Sequence, residues 1–154
     1  MECGFESLLT DPWAPCLPSP KTRLVASAFQ LQHGDTVQVK GKILPDAKDF
    51  VVNLGEDCDN LVLHFNPRFD HQKEVNTIVC NSKQYGVCGK EQREPGFPFE
   101  QGGNVQLSFT FLPLEMKVML AEGHGFSFPN RLGLKTIEYI AVEGDFKVRV
   151  LKFL

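Results

Sequence analysis

An all-β fold, either a sandwich or a barrel, is what the 154-residue sequence predicts, on three observations. Short runs rich in Val, Phe, Ile and Leu begin roughly every 8–12 residues and are separated by Gly, Asn, Asp and Pro. Thirteen Phe against two Tyr and one Trp, with thirteen Gly and ten Pro as punctuation, favour strands and turns. No segment keeps a 3.6-residue apolar repeat through three turns with caps, so helix content is expected to be very low.

The first element, through Arg23, differs from the rest. Asp11-Pro-Trp-Ala-Pro-Cys-Leu-Pro-Ser-Pro20 packs four of the ten prolines into ten residues, which blocks regular hydrogen bonding. Residues 1–23 are therefore read as a proline-rich, irregular extension, and residues 24–154 as the folded domain. The expected strands follow in order: Leu24 to Gln32, Thr36 to Ile43, Phe50 to Leu54, Asn60 to Phe69, Asn76 to Asn81, Lys90 to Glu94, Val105 to Leu112, Met116 to Ala121, Gly125 to Phe128, Ile137 to Val142 and Phe146 to Phe153. In Thr36-Val-Gln-Val-Lys-Gly-Lys-Ile43 valines alternate with polar residues, as in a strand with one wet face. Gly123-His-Gly-Phe reads as a hairpin turn and is too short for a phosphate loop.

Composition excludes several function classes. At 42% hydrophobic and 23% charged, the chain is an ordinary globular domain, long enough to build a core without staples. A net charge of -3 argues against nucleic-acid phosphate as a partner. No run of about 18 apolar residues suggests a membrane span, and the N-terminus lacks the basic and apolar regions of a signal peptide. Five cysteines, an odd number without C-x-x-C or zinc spacing, read as free thiols of a chain made in the cytosol, with export by another route left open.

The most informative stretch is Leu61-Val-Leu-His-Phe-Asn-Pro-Arg-Phe69. On a strand His64, Asn66 and Arg68 share one face, with a polar group about every 6.5–7 Å, close to the span of a sugar ring's hydroxyls. Such alternation is also what any strand with one solvent-facing side shows. Pro67, lacking an N–H, belongs near an edge or a break in the ladder. Glu91 and Arg93 again share a face, and a carboxylate between Arg68 and Arg93 would hold both guanidinium groups in place. Asn81 adds an amide that donates and accepts. Together these residues supply fixed donors and acceptors for a neutral polar ligand, with no nucleophile and no catalytic residue. Zinc held by His64, His71 and Cys80 fails on spacing, and Cys80 is expected to face inward. Cys88, without a paired His, is read as unreactive. No metal or other cofactor is implied.

These segments carry a family resemblance. His64-Phe-Asn-Pro-Arg68, Asn76-Thr-Ile-Val-Cys-Asn81-Ser, Gly89-Lys-Glu-Gln-Arg-Glu94 and Phe126-Ser-Phe-Pro-Asn-Arg-Leu132 resemble the signature segments of galectins, the β-galactoside-binding lectins, and are most similar to the single-domain prototype members. The resemblance runs from about Leu24 to Leu154. It implies a jelly-roll sandwich of two antiparallel sheets, of five and six strands, with the sugar across one concave face. It further implies that His64, Asn66 and Arg68 bond the axial 4-hydroxyl and ring oxygen of galactose, that Asn81 takes the 6-hydroxyl, and that Glu91 and Arg93 meet the neighbouring sugar. One position departs from the pattern: Cys88 stands where the family carries the tryptophan that stacks on galactose. Gln72, where many prototype members carry a histidine, is a smaller departure.

The function implied is non-enzymatic binding of β-galactoside glycans and glycoproteins, of the lactose and N-acetyllactosamine type, with affinity weakened by Cys88. The alternative is a galectin-fold protein that has lost sugar binding and serves as an intracellular structural or protein-interaction module. A fatty-acid-carrying barrel is a third reading, disfavoured because Gln32 to Thr36 leaves no room for a helical lid. Prototype galectins pair through terminal strands into homodimers; here the extension enters at that seam, and the sequence leaves monomer and dimer both open.

Overall fold

The computed structural model describes residues 22–121 and 123–154, so all of the proline-rich extension before Thr22 lies outside the described residues. Fourteen strands follow: β1 (Thr22–Ala26), β2 (Leu31–Gln32), β3 (Thr36–Ile43), β4 (Phe50–Asp57), β5 (Asn60–His71), β6 (Glu74–Gln84), β7 (Val87–Cys88), β8 (Gln92–Glu94), β9 (Asn104–Phe111), β10 (Glu115–Ala121), β11 (His124–Pro129), β12 (Thr136–Ile137), β13 (Tyr139–Gly144) and β14 (Phe146–Phe153). The described residues contain no helix, as the missing 3.6-residue repeat predicts.

The strands form two large antiparallel sheets. One runs β1-β13-β4-β5-β6-β7, with β8 also on β6; the other runs β11-β10-β9-β3-β14; β2 and β12 make a separate pair. The five-stranded sheet is as implied. Its partner has seven strands because two short ones, β7 and β8, share the outer edge of β6.

Alternation builds the core. In β3, Val37, Val39 and Ile43 are buried, and in β9 Leu107, Phe109 and Phe111 come in from the same side of the sandwich. They meet Phe50, Val52 and Leu54 of β4 and Leu63 and Phe65 of β5. Phe50 stacks on Phe146 at 4.8 Å, and Phe65 sits edge-on to Phe109 at 5.7 Å. Most of the phenylalanines that suggested strands are thus the interlocking centre between the sheets. Gly41 is required where β3 passes β14: a Cβ there would stand 2.3 Å from the Lys147 carbonyl oxygen and 2.5 Å from the Phe146 ring.

Several expected boundaries shift for local reasons. The first strand begins at Thr22 instead of Leu24, and it breaks into β1 and β2 where Ala28 takes a left-handed φ of 62°. Pro67 lies inside β5, a central strand, where β4–β5 pairing stops after Phe65 and resumes only at the Asp49–Arg68 bridge. Its missing N–H falls at that break, as expected. The hairpin at Gly123 joins β10 to β11. Free thiols hold only for buried Cys80 among the described residues; Cys58 and Cys88 are disulfide-bonded, which corrects the free-thiol reading of those two.

Candidate functional site

The site is built on the outer face of the seven-stranded sheet, around the middle of β5. Antiparallel register aligns Ala141, Asn53, His64 and Asn81 in one row across β13, β4, β5 and β6. Arg68 lies farther along β5, opposite Thr77 and beside Asp49. Phe65 of the same strand points inward, so the polar row rests directly on the aromatic core.

These residues are not a solvent-washed strand face. His64 is 5% exposed, Asn66 3%, Arg68 2% and Asn81 1%. Burial makes their hydrogen bonding decisive, because a buried polar group left without a partner costs about 1–3 kcal/mol.

Each group has committed some of its valences to the protein and kept others. His64 Nδ1 lies 2.7 Å from Asn53 Oδ1. That contact puts the proton of the neutral ring on Nδ1 and leaves Nε2 as an acceptor. Nε2 is buried and has no hydrogen-bond partner among the described residues. Asn66 uses both amide hydrogens, toward Asp49 Oδ2 at 2.9 Å and the Phe50 carbonyl at 2.8 Å, while its Oδ1 accepts from Arg68 Nε at 2.8 Å. A second lone pair on Oδ1 remains. Asn81 donates to the Gly89 carbonyl at 3.0 Å and accepts from Ser82 N at 2.8 Å and from Arg131 Nη1 at 3.3 Å, leaving one amide hydrogen.

Arg68 and Arg93 are held by two carboxylates. The sequence suggested Glu91 between them; Glu74, at the start of β6, completes the set. Arg68 Nη1 is 3.9 Å from Glu74 and its Nη2 3.7 Å from Glu91. Arg93 bonds Glu74 through both Nε and Nη2, and its Nη2 also lies 3.3 Å from Glu91. The long Arg68 contacts fix the guanidinium without saturating it, so N–H groups remain for a ligand. The Arg93 hydrogen bond holds the Glu74 carboxyl below its ordinary value.

His64 does not switch charge in the physiological range. Burial first, then the charges of Lys83 and Arg68, pull its pKa from 6.5 down to about 3. Because the folded value is depressed, the unfolded chain takes up the proton first as pH falls. The contribution is complete above pH 6.5 and is lost progressively down to about pH 3. Unfolding in urea at pH 7 and pH 5 should show this as a drop of about 2 kcal/mol, at about 1.4 kcal/mol per pH unit. The drop should be absent in His64→Gln; an equal drop in both proteins would rule out His64 as its source. Below pH 4.5, protonation of Glu74 removes further stability.

Four supporting residues escaped sequence reasoning. Asn53 and Glu74 lie on neighbouring strands and Asp49 just ahead of β4, bridged to Arg68, and only register brings them in. Arg131, in the Phe126-to-Leu132 segment, sits 4.7 Å over the Phe128 ring and bonds Ser82 Oγ at 3.1 Å and the Lys90 carbonyl at 2.8 Å, besides Asn81. Cys88 lies in β7 opposite Lys83, half-buried and disulfide-bonded, so no aromatic plane stands at that position. Cys80 faces the core, where burial raises its thiol pKa. No group of three or more candidate metal ligands exists among the described residues.

The array thus offers two acceptors, His64 Nε2 and Asn66 Oδ1, and donors from Arg68 and Asn81. A hydroxyl, which donates once and accepts besides, matches such a mixture better than a charged group does.

Comparison with known proteins gives this chemistry a lineage. A sequence profile described as galactoside-binding lectin matches residues 24–153. Pig (Sus scrofa) galectin-1 is 51% identical over 130 residues, covering 84% of this chain and 96% of that protein. The chicken (Gallus gallus) 16 kDa beta-galactoside-binding lectin is 54% identical over the same coverage. Among solved structures, CG-16, a homodimeric agglutinin from chicken liver, aligns with a TM-score of 0.84 at 53% identity over 86% of this chain and 100% of that one. Toad ovary galectin in complex with thio-digalactose aligns at 0.83 and 39% identity, over 86% and 98%. With its jelly-roll sandwich of antiparallel sheets, the chain belongs to the galectin family of non-enzymatic, galactoside-binding lectins.

Proposed function

We propose that this protein binds β-galactoside glycans of the lactose and N-acetyllactosamine type at the outer face of β5 and β6. The observation that carries the reading is His64 Nε2, a buried acceptor without a partner beside the fixed Arg68 and Asn66. In this reading a galactose hydroxyl donates to Nε2 or Asn66 Oδ1 and accepts from Arg68, while Asn81 donates its remaining hydrogen to a second hydroxyl. Glu91 and Arg93 meet the adjoining sugar at the exposed end of the row. Cys88 contributes position only, and its lack of an aromatic face weakens the affinity. Residues 24–154 are the carbohydrate-recognition domain and residues 1–23 an appended segment.

Two copies pair in this proposal. β1 and β14 are the outer strands of their sheets, and Val25, Val150 and Phe153 on them are 46%, 45% and 43% exposed. Free edges carrying exposed apolar side chains invite pairing with a second chain. The disulfide-bonded Cys58 and Cys88 suit an oxidising compartment, which favours action outside the cytosol.

A titration of lactose into isotope-labelled protein tests both points. Resonances of His64, Asn66, Arg68, Asn81, Glu91 and Arg93 should shift together, with the rotational correlation time of a dimer. Silence at tens of millimolar lactose would end the lectin reading in favour of a protein-interaction module, and tumbling as a single 17.3 kDa chain would end the pairing.

A further inference from the structure

The chain has five cysteines, and two of them are bonded on the face that carries the polar row. Cys88 pairs with Lys83 in the β6–β7 register, and Lys83 lies two residues from Asn81 on β6, so Cys88 shares a face with Asn81. Cys58, in the β4–β5 turn, packs on Leu61, Tyr139 and Ala141, and register puts Ala141 in the row with Asn53, His64 and Asn81. That cluster runs from β13 to β5. β7 lies two strands past β5, about 10 Å at the usual strand spacing, whereas one disulfide joins Cα atoms no more than about 7 Å apart. Cys58 and Cys88 therefore have separate partners. Cys80 keeps its thiol in the core, which leaves Cys3 and Cys16 of the proline-rich extension.

What the Cys88 bond does follows from its neighbours. β7 is two residues long and meets β6 only at the Lys83–Cys88 and Gln84–Val87 positions. A strand pairing that short is weak by itself. The next residue is Gly89: its N–H donates to the Ser82 carbonyl at 2.9 Å, and its own carbonyl accepts from Asn81 Nδ2 at 3.0 Å. Lys90 follows, its carbonyl bonded to Arg131 Nη1, which also reaches Asn81 Oδ1. The path of the chain just after Cys88 thus orients the Asn81 amide. We propose that Cys58 and Cys88 are bonded one each to Cys3 and Cys16, and that this tether positions Asn81 by holding β7, so that ligand affinity depends on redox state. Whichever way the pairs match, residues 4–15 link the β4–β5 turn to β7. Cys88 acts as a positioning residue, whereas Asn81 meets the sugar; this second half rests on the lectin reading above. Reduction by a dithiol transfers two electrons and two protons to each bond, giving four protein thiols and two cyclic disulfides. β7 then loses its anchor, and Asn81 its fixed acceptor.

Non-reducing tryptic mapping of the full chain tests the pairing. No Lys or Arg lies between Cys3 and Cys16, so peptides 1–21, 49–68 and 84–90 should travel as one covalent species and separate on reduction. Peptide 49–68 joined to 84–90 without 1–21, or bonds between two chains, overturns the assignment. Calorimetric titration of lactose before and after treatment with dithiothreitol tests the positioning. Reduction should weaken binding roughly three- to tenfold, the scale of one misaligned hydrogen bond. It should also speed hydrogen exchange at the Gly89 amide while amides of β9 stay protected. Cys3→Ser combined with Cys16→Ser, both outside the folded domain, should behave as reduced wild type and no longer respond to dithiothreitol. Unchanged lactose affinity on reduction overturns the positioning role while leaving lactose recognition standing. If lactose binds in neither state the lectin reading falls, and exchange at Gly89 alone decides whether the tether holds β7.

Discussion

Replacing Phe65 by alanine is expected to destabilise the domain by about 3–5 kcal/mol. Its ring is fully buried between the sheets and contacts four others, those of Phe50, Phe99, Phe109 and Phe126, at centroid distances of 6.4, 6.5, 5.7 and 6.2 Å. Truncation leaves a cavity that rings anchored on several different strands cannot close together. Urea unfolding at constant pH measures the loss. Leu114→Ala, at a position 84% exposed, serves as a control and should stay within about 0.5 kcal/mol. Phe65 also lies between His64 and Asn66 in the chain, so the surviving folded fraction should bind lactose more weakly. A loss below about 1.5 kcal/mol would mean that the core repacks, contrary to the interlocked arrangement of these rings.

Installing the missing aromatic face should strengthen lactose binding by about 1–3 kcal/mol, roughly 5- to 150-fold, by analogy with aromatic platforms under nucleic-acid bases. Cys88 is disulfide-bonded, so Cys88→Trp changes a covalent link as well as a surface. The comparison that isolates stacking is therefore Cys88→Trp against Cys88→Ser, both lacking the bond. Calorimetric titration of the two with lactose should give the full difference. Equal affinities would show that an indole at this edge does not reach the sugar. Cys88→Ser against wild type then reports separately what the disulfide does to the site.

Much of the fold is legible because the side-chain period of two survives in the sequence. β3 and β14 occupy the residues that alternation picks out, and β5 extends the expected run only from Phe69 to His71. What escaped was of another kind. β7 is two residues long and enters through the Tyr85–Gly86 turn, with φ values of 51° and 80°; so short a strand has no period to detect. The expected run from Ile137 to Val142 divides into β12 and β13, which pair with different strands. At the site, the sequence places His64, Asn66 and Arg68 on one face but says nothing of their depth. Their burial depends on neighbours such as Asn53 and Glu74, brought close only by sheet register. The free valences of Asn81 likewise depend on Arg131, fifty residues away in the chain.

The grouping of Arg68, Glu74, Glu91 and Arg93 has a consequence for how ligands arrive. Two cations and two anions within a few ångströms present a short-range multipole, whose potential dies away faster than that of a single charge. An approaching neutral glycan is neither drawn in nor turned away by this end of the groove, and encounter there is governed by diffusion and shape. The side chains already restrain one another, so little torsional freedom is left to be frozen at contact. Association at that end should proceed as a single step without prior rearrangement, and the lifetime of the complex should carry the differences between one glycan and another.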